Sequence, residues 1–289
     1  MPQAIETAFV QQFKTNVELV MQQKEARLRP LVTTDSYQAK SASVVEQFGV
    51  MAAQKVTTRN APTPVLDLDQ SRRWVFPTTY VASSTVDRFD KLKMAIDPTS
   101  PYVQAAAAAM ARAQDAEIMS AFFGTAKVGE NGTVDEAFDT TYEVASTVGG
   151  ASSLNVAKLR AALKLLMKAN QGQLNEPVYC AISAEDHDAL LSEVQIASRD
   201  FNSQPVLEDG RIRRFLGMDF VVIESLPVSG SNRYIPVWVR SGMHLGVWED
   251  VNTRIDERSD MNYATQIWLS TTVGATRLQQ GKVVRIVVA

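Results

Sequence analysis

The stretch Asp97-Pro98-Thr99-Ser100-Pro101-Tyr102, the alanine run Ala105–Ala109 behind it, and the exit Phe123-Gly124-Thr125-Ala126 decide the fold. Ser100 is a capping residue, and Pro101 stands at the first helical position, where its missing N–H costs nothing. Gly124 supplies the stop. Between them Val103, Ala107, Met110, Ile118 and Ala121 fall on one side, with Arg112 opposite. The spacing predicts one helix from Ser100 to Phe123, roughly 35 Å long at 1.5 Å per residue. Alanine favours the helix and lets other backbones come close, so the element is expected to act as a rigid strut.

Upstream, Ile5, Phe9, Val10, Phe13, Val17, Val20 and Met21 recur at helical spacing, and Pro30 ends the pattern after Lys24, Arg27 and Arg29. This amphipathic helix packs either on its own domain or, as an arm, on a neighbouring subunit. Ser43–Arg59 and Ser71–Ala82 read as extended, joined through Asn60–Gln70, where Pro62 and Pro64 prevent a regular element. A lone two-stranded finger is marginal in water, so it needs another surface, its own or another molecule's.

Downstream, Asn131–Gly132 marks a tight hairpin turn within Lys127–Thr140, and Ser146–Ser153 is a small-residue linker and candidate domain boundary. Leu154–Ala169 reads as a helix with Leu159, Leu163 and Leu166 inward and Lys158, Arg160, Lys164 and Lys168 mostly outward. Val178–Ile182 is expected as a buried strand. Ser183 then caps a second helix, and Asp186 completes a capping-box pattern. Phe220–Ile223, Ile235–Val239, Leu245–Trp248, Tyr263–Leu269 and Val283–Val288 are strand-like.

With 289 residues, 45% hydrophobic and 21% charged, the chain is an ordinary folded protein, and its net charge of −3 argues against wrapping nucleic acid. The single cysteine, Cys180, excludes an internal disulfide and reads as a buried inert thiol. No stretch approaches the ~20 apolar residues of a membrane span. The N-terminus lacks the pattern of a signal peptide, so the chain is expected to be made and folded in a cytoplasm.

Chemistry is hard to place. His187 reads as an exposed helical residue and His244 as a structural one at a strand start. Gly124–Thr133 lacks the Gly-Lys-Ser/Thr of a phosphate loop, and no dinucleotide fingerprint follows a strand. Asp67 and Asp69 are too few oxygens for calcium and read as a solvated finger tip. No catalytic residue, cofactor or metal is expected, and the chain does not read as an enzyme. Two basic clusters remain, Arg72–Arg73 and Arg211, Arg213 and Arg214. Intersubunit pairing with carboxylates, phosphate contact and plain solvated charge are all open for them, although no aromatics interleave as in single-strand binders.

The run Asp87-Arg88-Phe89-Asp90-Lys91 up to Tyr102, then the alanine run and the Phe-Gly-Thr-Ala exit, closely resembles the major capsid proteins of a group of tailed bacteriophages. Gln22-Gln23-Lys24 with Leu28-Arg29, Thr63-Pro64 with Ser71-Arg72-Arg73, and Gly274 to Arg277 with Ile286 agree in order along most of the chain. The resemblance implies an α+β fold of the Hong Kong 97 type. Its layout would be an N-terminal arm (1–42), an extended β-hairpin loop (43–83) and a peripheral domain (84–150) with a spine helix (101–123). An axial domain (151–242) and closing strands of the peripheral domain (243–289) would complete it.

It implies a shell subunit, forming hexamers and pentamers of an icosahedral head in the virion. Expected partners are a separate scaffolding protein, a portal, a decoration protein, and packaged DNA by non-specific proximity, with no membrane. A cellular nanocompartment shell of the same fold is the alternative, and an unidentified enzyme a remote one. Residues expected at intersubunit contacts are Arg72 and Arg73 with acidic partners, Trp74 and Phe76 as apolar anchors, and the turn Asp87, Arg88, Asp90 and Lys91. The founding member cross-links its subunits, and no residue here matches that chemistry.

Overall fold

The computed structural model describes residues 23–38, 40, 42–48, 53, 55, 70–87, 99–150, 152–170, 172, 175–193, 207–208 and 211–289. The expected helix over residues 5–21, the acidic finger tip at Asp67 and Asp69, and Arg88, Asp90 and Lys91 lie outside them. The chain forms two compact units. The smaller comprises residues up to 25 with 79–113 and 250–271, and the larger 26–78, 114–249 and 272–289.

Helix α1 runs from Thr99 to Phe123, one residue before the expected cap, and passes from the smaller unit into the larger. In the smaller unit its first half faces β4 (Thr78–Val86) and β16 (Ala264–Arg277). Val86, Met110, Ile267 and Leu269 form the core there, with Tyr80, Ala82, Val103, Ala106 and Ala107 against it. The small alanine side chains set how closely the strands approach the helix. β16 lies between β4 and β15 (Met243–Arg258). Sequence periodicity found only the apolar ends of these last two strands. Residues 249–258 are largely charged and exposed, and they are strand because their partner strand pairs with them.

The larger unit is built on a mixed seven-stranded sheet, ordered β11-β12-β8-β14-β17-β7 with β13 on β14. Its members are β7 (Glu143–Val144), β8 (Val178–Ile182), β11 (Arg214–Phe215), β12 (Met218–Val222), β13 (Val228–Ser229), β14 (Asn232–Val239) and β17 (Val283–Val288). The runs Val178–Ile182 and Val283–Val288 are apolar apart from Arg285, which pairs with Glu143, because both faces of the sheet are largely covered. Helix α2 (Val156–Ala169) is capped by Asn155, which accepts from Lys158 N at 2.8 Å, and buries Leu159, Ala162 and Leu166. Helix α3 (Ala184–Leu191) carries the expected Ser183–Asp186 capping box. β9 (Leu207–Glu208) and β10 (Arg211–Ile212) make a separate small hairpin.

Three expectations need correction. Ser71–Ala82 is not one strand. β3 (Gln70–Val75) ends at Phe76–Pro77, where proline has no N–H for the ladder, and β4 joins a different sheet. Lys158 does not point outward. It is fully buried, its Nζ donating to Ser152 O at 2.7 Å and Ser153 O at 2.9 Å, and burial lowers its pKa. His187 is half-buried, and its Nε2 accepts the Ile212 N–H at 3.2 Å.

Candidate functional site

The root of the finger gathers the sequence-expected residues. β2 (Ala42–Phe48) pairs antiparallel with β3, which pairs on its other side with β5 (Ala126–Val128), and β6 (Val134–Glu136) closes the sheet. Strand alternation sends Arg73 and Val75 inward and Arg72 and Trp74 to the opposite face.

Arg72 stands directly across from Glu46 and forms an ion pair with it, its guanidinium 5.9 Å from the Trp74 ring. Trp74 donates Nε1–H to Gly129 O at 2.8 Å and rests on the β5–β6 turn. A Cβ at Gly132, whose φ is +67°, would fall 2.8 Å from Trp74 Cγ. Beside this face an open recess of about 200 Å³ is lined by Glu46, Ser71, Arg72 and Glu130.

On the inner face Arg73, only 6% exposed, pairs with Glu136, which also accepts from Gln280 Nε2 at 2.9 Å. Arg277 is 1% exposed. Its Nη1 donates to Phe122 O at 2.7 Å and Gly124 O at 3.1 Å, satisfying carbonyls at the exit of α1. Burial, and secondarily the Arg73 charge, brings the Arg277 pKa down to about 10, with Glu136 opposing. Burial by itself would raise the Glu136 pKa, but the hydrogen bonds from Arg73 and Gln280 and the two guanidinium charges hold it below the usual glutamate range. Arg73 Nε and Arg277 Nη2 are buried with no partner among the described residues, which makes this two-arginine, one-carboxylate cluster costly to bury.

Phe76 is 42% exposed, and its carbonyl lies so close to Gly274 that a Cβ there would sit 2.1 Å from it. Asp87 is exposed at the end of β4. Thus Arg72, Arg73 and Trp74 all find partners in their own chain, and Phe76 is the expected apolar residue that faces outward. In the sequence Arg277 stands out only as part of a terminal motif, and Glu136 does not stand out at all. Neither carries a local signal, since their meaning comes from strands far apart in the chain.

Elsewhere, Cys180 is fully buried and its pKa is pushed up by burial, then by the nearby Asp186 carboxylate. His244 is 2% exposed. Its Nδ1 lies 3.2 Å from Thr33 Oγ1 and its Nε2 3.0 Å from Tyr37 OH. Thr33 Oγ1 donates to Met243 O at 2.7 Å, so toward Nδ1–H it is the acceptor, and in the neutral ring Nε2 accepts the Tyr37 O–H. Burial lowers the imidazole's pKa against the pull of Asp35, which favours that neutral form. Among the described residues no cluster of histidine, cysteine and carboxylate could hold a metal ion, and no helix is long and apolar enough to cross a membrane.

A family described as phage capsid protein matches residues 5–289. No curated protein matches the chain. Among solved structures, the capsid of cyanophage P-SCSP1u aligns with a TM-score of 0.77 at 13% identity, covering 99% of this chain and 94% of that one. The capsid of Helicobacter pylori bacteriophage KHP30 aligns at 0.76 and 10% identity, covering 98% and 97%. The capsid of an empty GTA particle aligns at 0.72 and 16% identity, covering 100% and 98%. At these identities the likeness establishes the fold.

Proposed function

Because the chain belongs to the phage capsid protein family and is a structural subunit of a phage head, we propose that its copies form the hexamers and pentamers of an icosahedral shell around tailed-phage double-stranded DNA. The mixed fold shared with those capsids is the Hong Kong 97-like one that the resemblance implied. The observation that carries the reading is the end-to-end match of the fold to capsid subunits, with no large part of either chain left over. The role is structural, with no catalysis.

In this reading residues 43–83 are the extended loop, 101–123 the spine, 151–242 the axial domain and 243–289 the closing strands, with 1–42 as an arm. Arg72, Arg73 and Trp74 brace the root of the loop from within. The outward edge of Arg72, the exposed Phe76 and the turn at Asp87, Arg88, Asp90 and Lys91 meet the neighbouring subunit. Assembly takes place in the host cytoplasm with a separate scaffolding protein, a portal and a decoration protein, and DNA is enclosed by proximity.

Expression of the chain with its scaffold, followed by electron microscopy, tests this. Closed particles are expected; a product that stays monomeric, with no capsomers, would count against the assignment.

A further inference from the structure

Helix α2 exposes Arg160, Lys164 and Lys168 at four-residue spacing, hence along one face, with Met167 43% exposed among them. None of the three cations has an ion-pair partner among the described residues. Lys168 in the last turn favours the helix dipole, but like charges one turn apart weaken a helix, so Arg160 and Lys164 add nothing to it. Met167 and Leu163 line an open groove of about 420 Å³ with Pro177, Val178, Arg214 and Leu216. Leu216 holds φ at +52°, a costly backbone for a branched residue, while lining this groove.

Helix α3, which follows β8 directly, carries the opposite sign. Glu185 and Asp188 are exposed on it, and Glu224 accepts the Ala184 N–H at 2.9 Å. Glu185 meets Arg233, whereas Asp188 and Glu224 have no ion pair among the described residues.

We propose that the basic α2 face of one subunit docks on the acidic α3 face of a second copy. Two different patches of opposite sign on one chain make a heterologous contact, the kind that closes into rings when its rotation allows. Met167 gives the contact an apolar centre and the cations give it a charged rim. The inference rests on the reading of the chain as a self-assembling subunit.

Charge exchange tests it in the full-length chain, under conditions where the unaltered chain forms particles. Lys164→Glu and Asp188→Lys each place like charges across every such contact and are expected to lower shell yield about tenfold, most at low salt. The double variant restores opposite charges and is expected to recover yield to within about twofold. Circular dichroism establishes that each variant is folded. Single variants that assemble normally overturn the proposal, as does a double variant no better than the worse single one. Normal shells of Lys164→Glu that have lost DNA overturn it in favour of a nucleic-acid contact. An unaltered chain that never assembles refutes the shell reading instead.

Discussion

Trp74 lies on Gly132: the nearest ring carbon would be 2.8 Å from any Cβ placed there, and the indole N–H is bonded to Gly129 O in the same turn. The finger's return strand is thereby bolted to the β5–β6 hairpin. Gly132→Ala meets both a left-handed backbone and the ring, so it is expected to cost about 1–3 kcal/mol. Urea denaturation followed by tryptophan emission reads both the stability loss and the altered indole environment. An unchanged midpoint would show that the turn yields freely.

Arg73 and Arg277 depend on the one carboxylate of Glu136. Arg277→Met keeps the apolar stem but strands the carbonyls of Phe122 and Gly124, at an expected cost of about 2 kcal/mol. Glu136→Gln leaves two buried guanidiniums uncompensated and is expected to cost more, about 3 kcal/mol. Chemical denaturation of both variants at neutral pH gives the ranking, and the reverse order would remove charge balance from the account.

Glu136 also sets an acid limit. Its folded pKa lies below the unfolded value, so its contribution is complete above the ordinary glutamate range and is lost as pH falls through the folded value. The acid branch of the stability profile is expected to flatten in Glu136→Gln, as measured by thermal midpoints between pH 6 and about pH 3.

His244 acts at milder pH. It is neutral when folded, with its pKa below that of the unfolded chain, near 6.5. The unfolded state therefore binds the extra proton first, and stability falls as pH drops below about 6.5 until the folded value is reached. The local reporter is β1 (Thr33–Ser36), which pairs with β15 beside the ring, and the Tyr37 amide bonded to Val247 O at 2.9 Å. Hydrogen exchange of that amide, corrected for its intrinsic rate, should lose protection toward pH 5 in the native chain and much less in His244→Gln. Asp35→Asn removes the charge favouring the protonated ring and lowers the folded value further, so the loss should begin at the same pH but continue to lower pH. Equal pH profiles in all three proteins would exclude the histidine.

The spine helix was legible because its cap, alanine run and glycine stop are local signals. So was the Ser183–Asp186 box. The long β15–β16 hairpin was not, because its outer half is charged on both faces and only the partner strand makes it extended. Lys158 was misplaced for the same reason that its burial works: the two carbonyls that receive Nζ come from residues just outside the helix. At the finger root Arg72 and Arg73 read as a single basic cluster, but the strand turns them to opposite faces, and their acids, Glu46 and Glu136, lie 26 and 63 residues away in sequence.

Arg277 closes the exit of α1 from 155 residues away, and so orders events during synthesis. Contacts that distant form only after intervening chain is available, and they pay the cost of loop closure first. A nascent chain still short of residue 277 must hold a spine whose last carbonyls lack their buried donor. The larger unit therefore reaches its finished packing only after residue 277 has been made, and any chain cut short of that point carries an unfinished helix end.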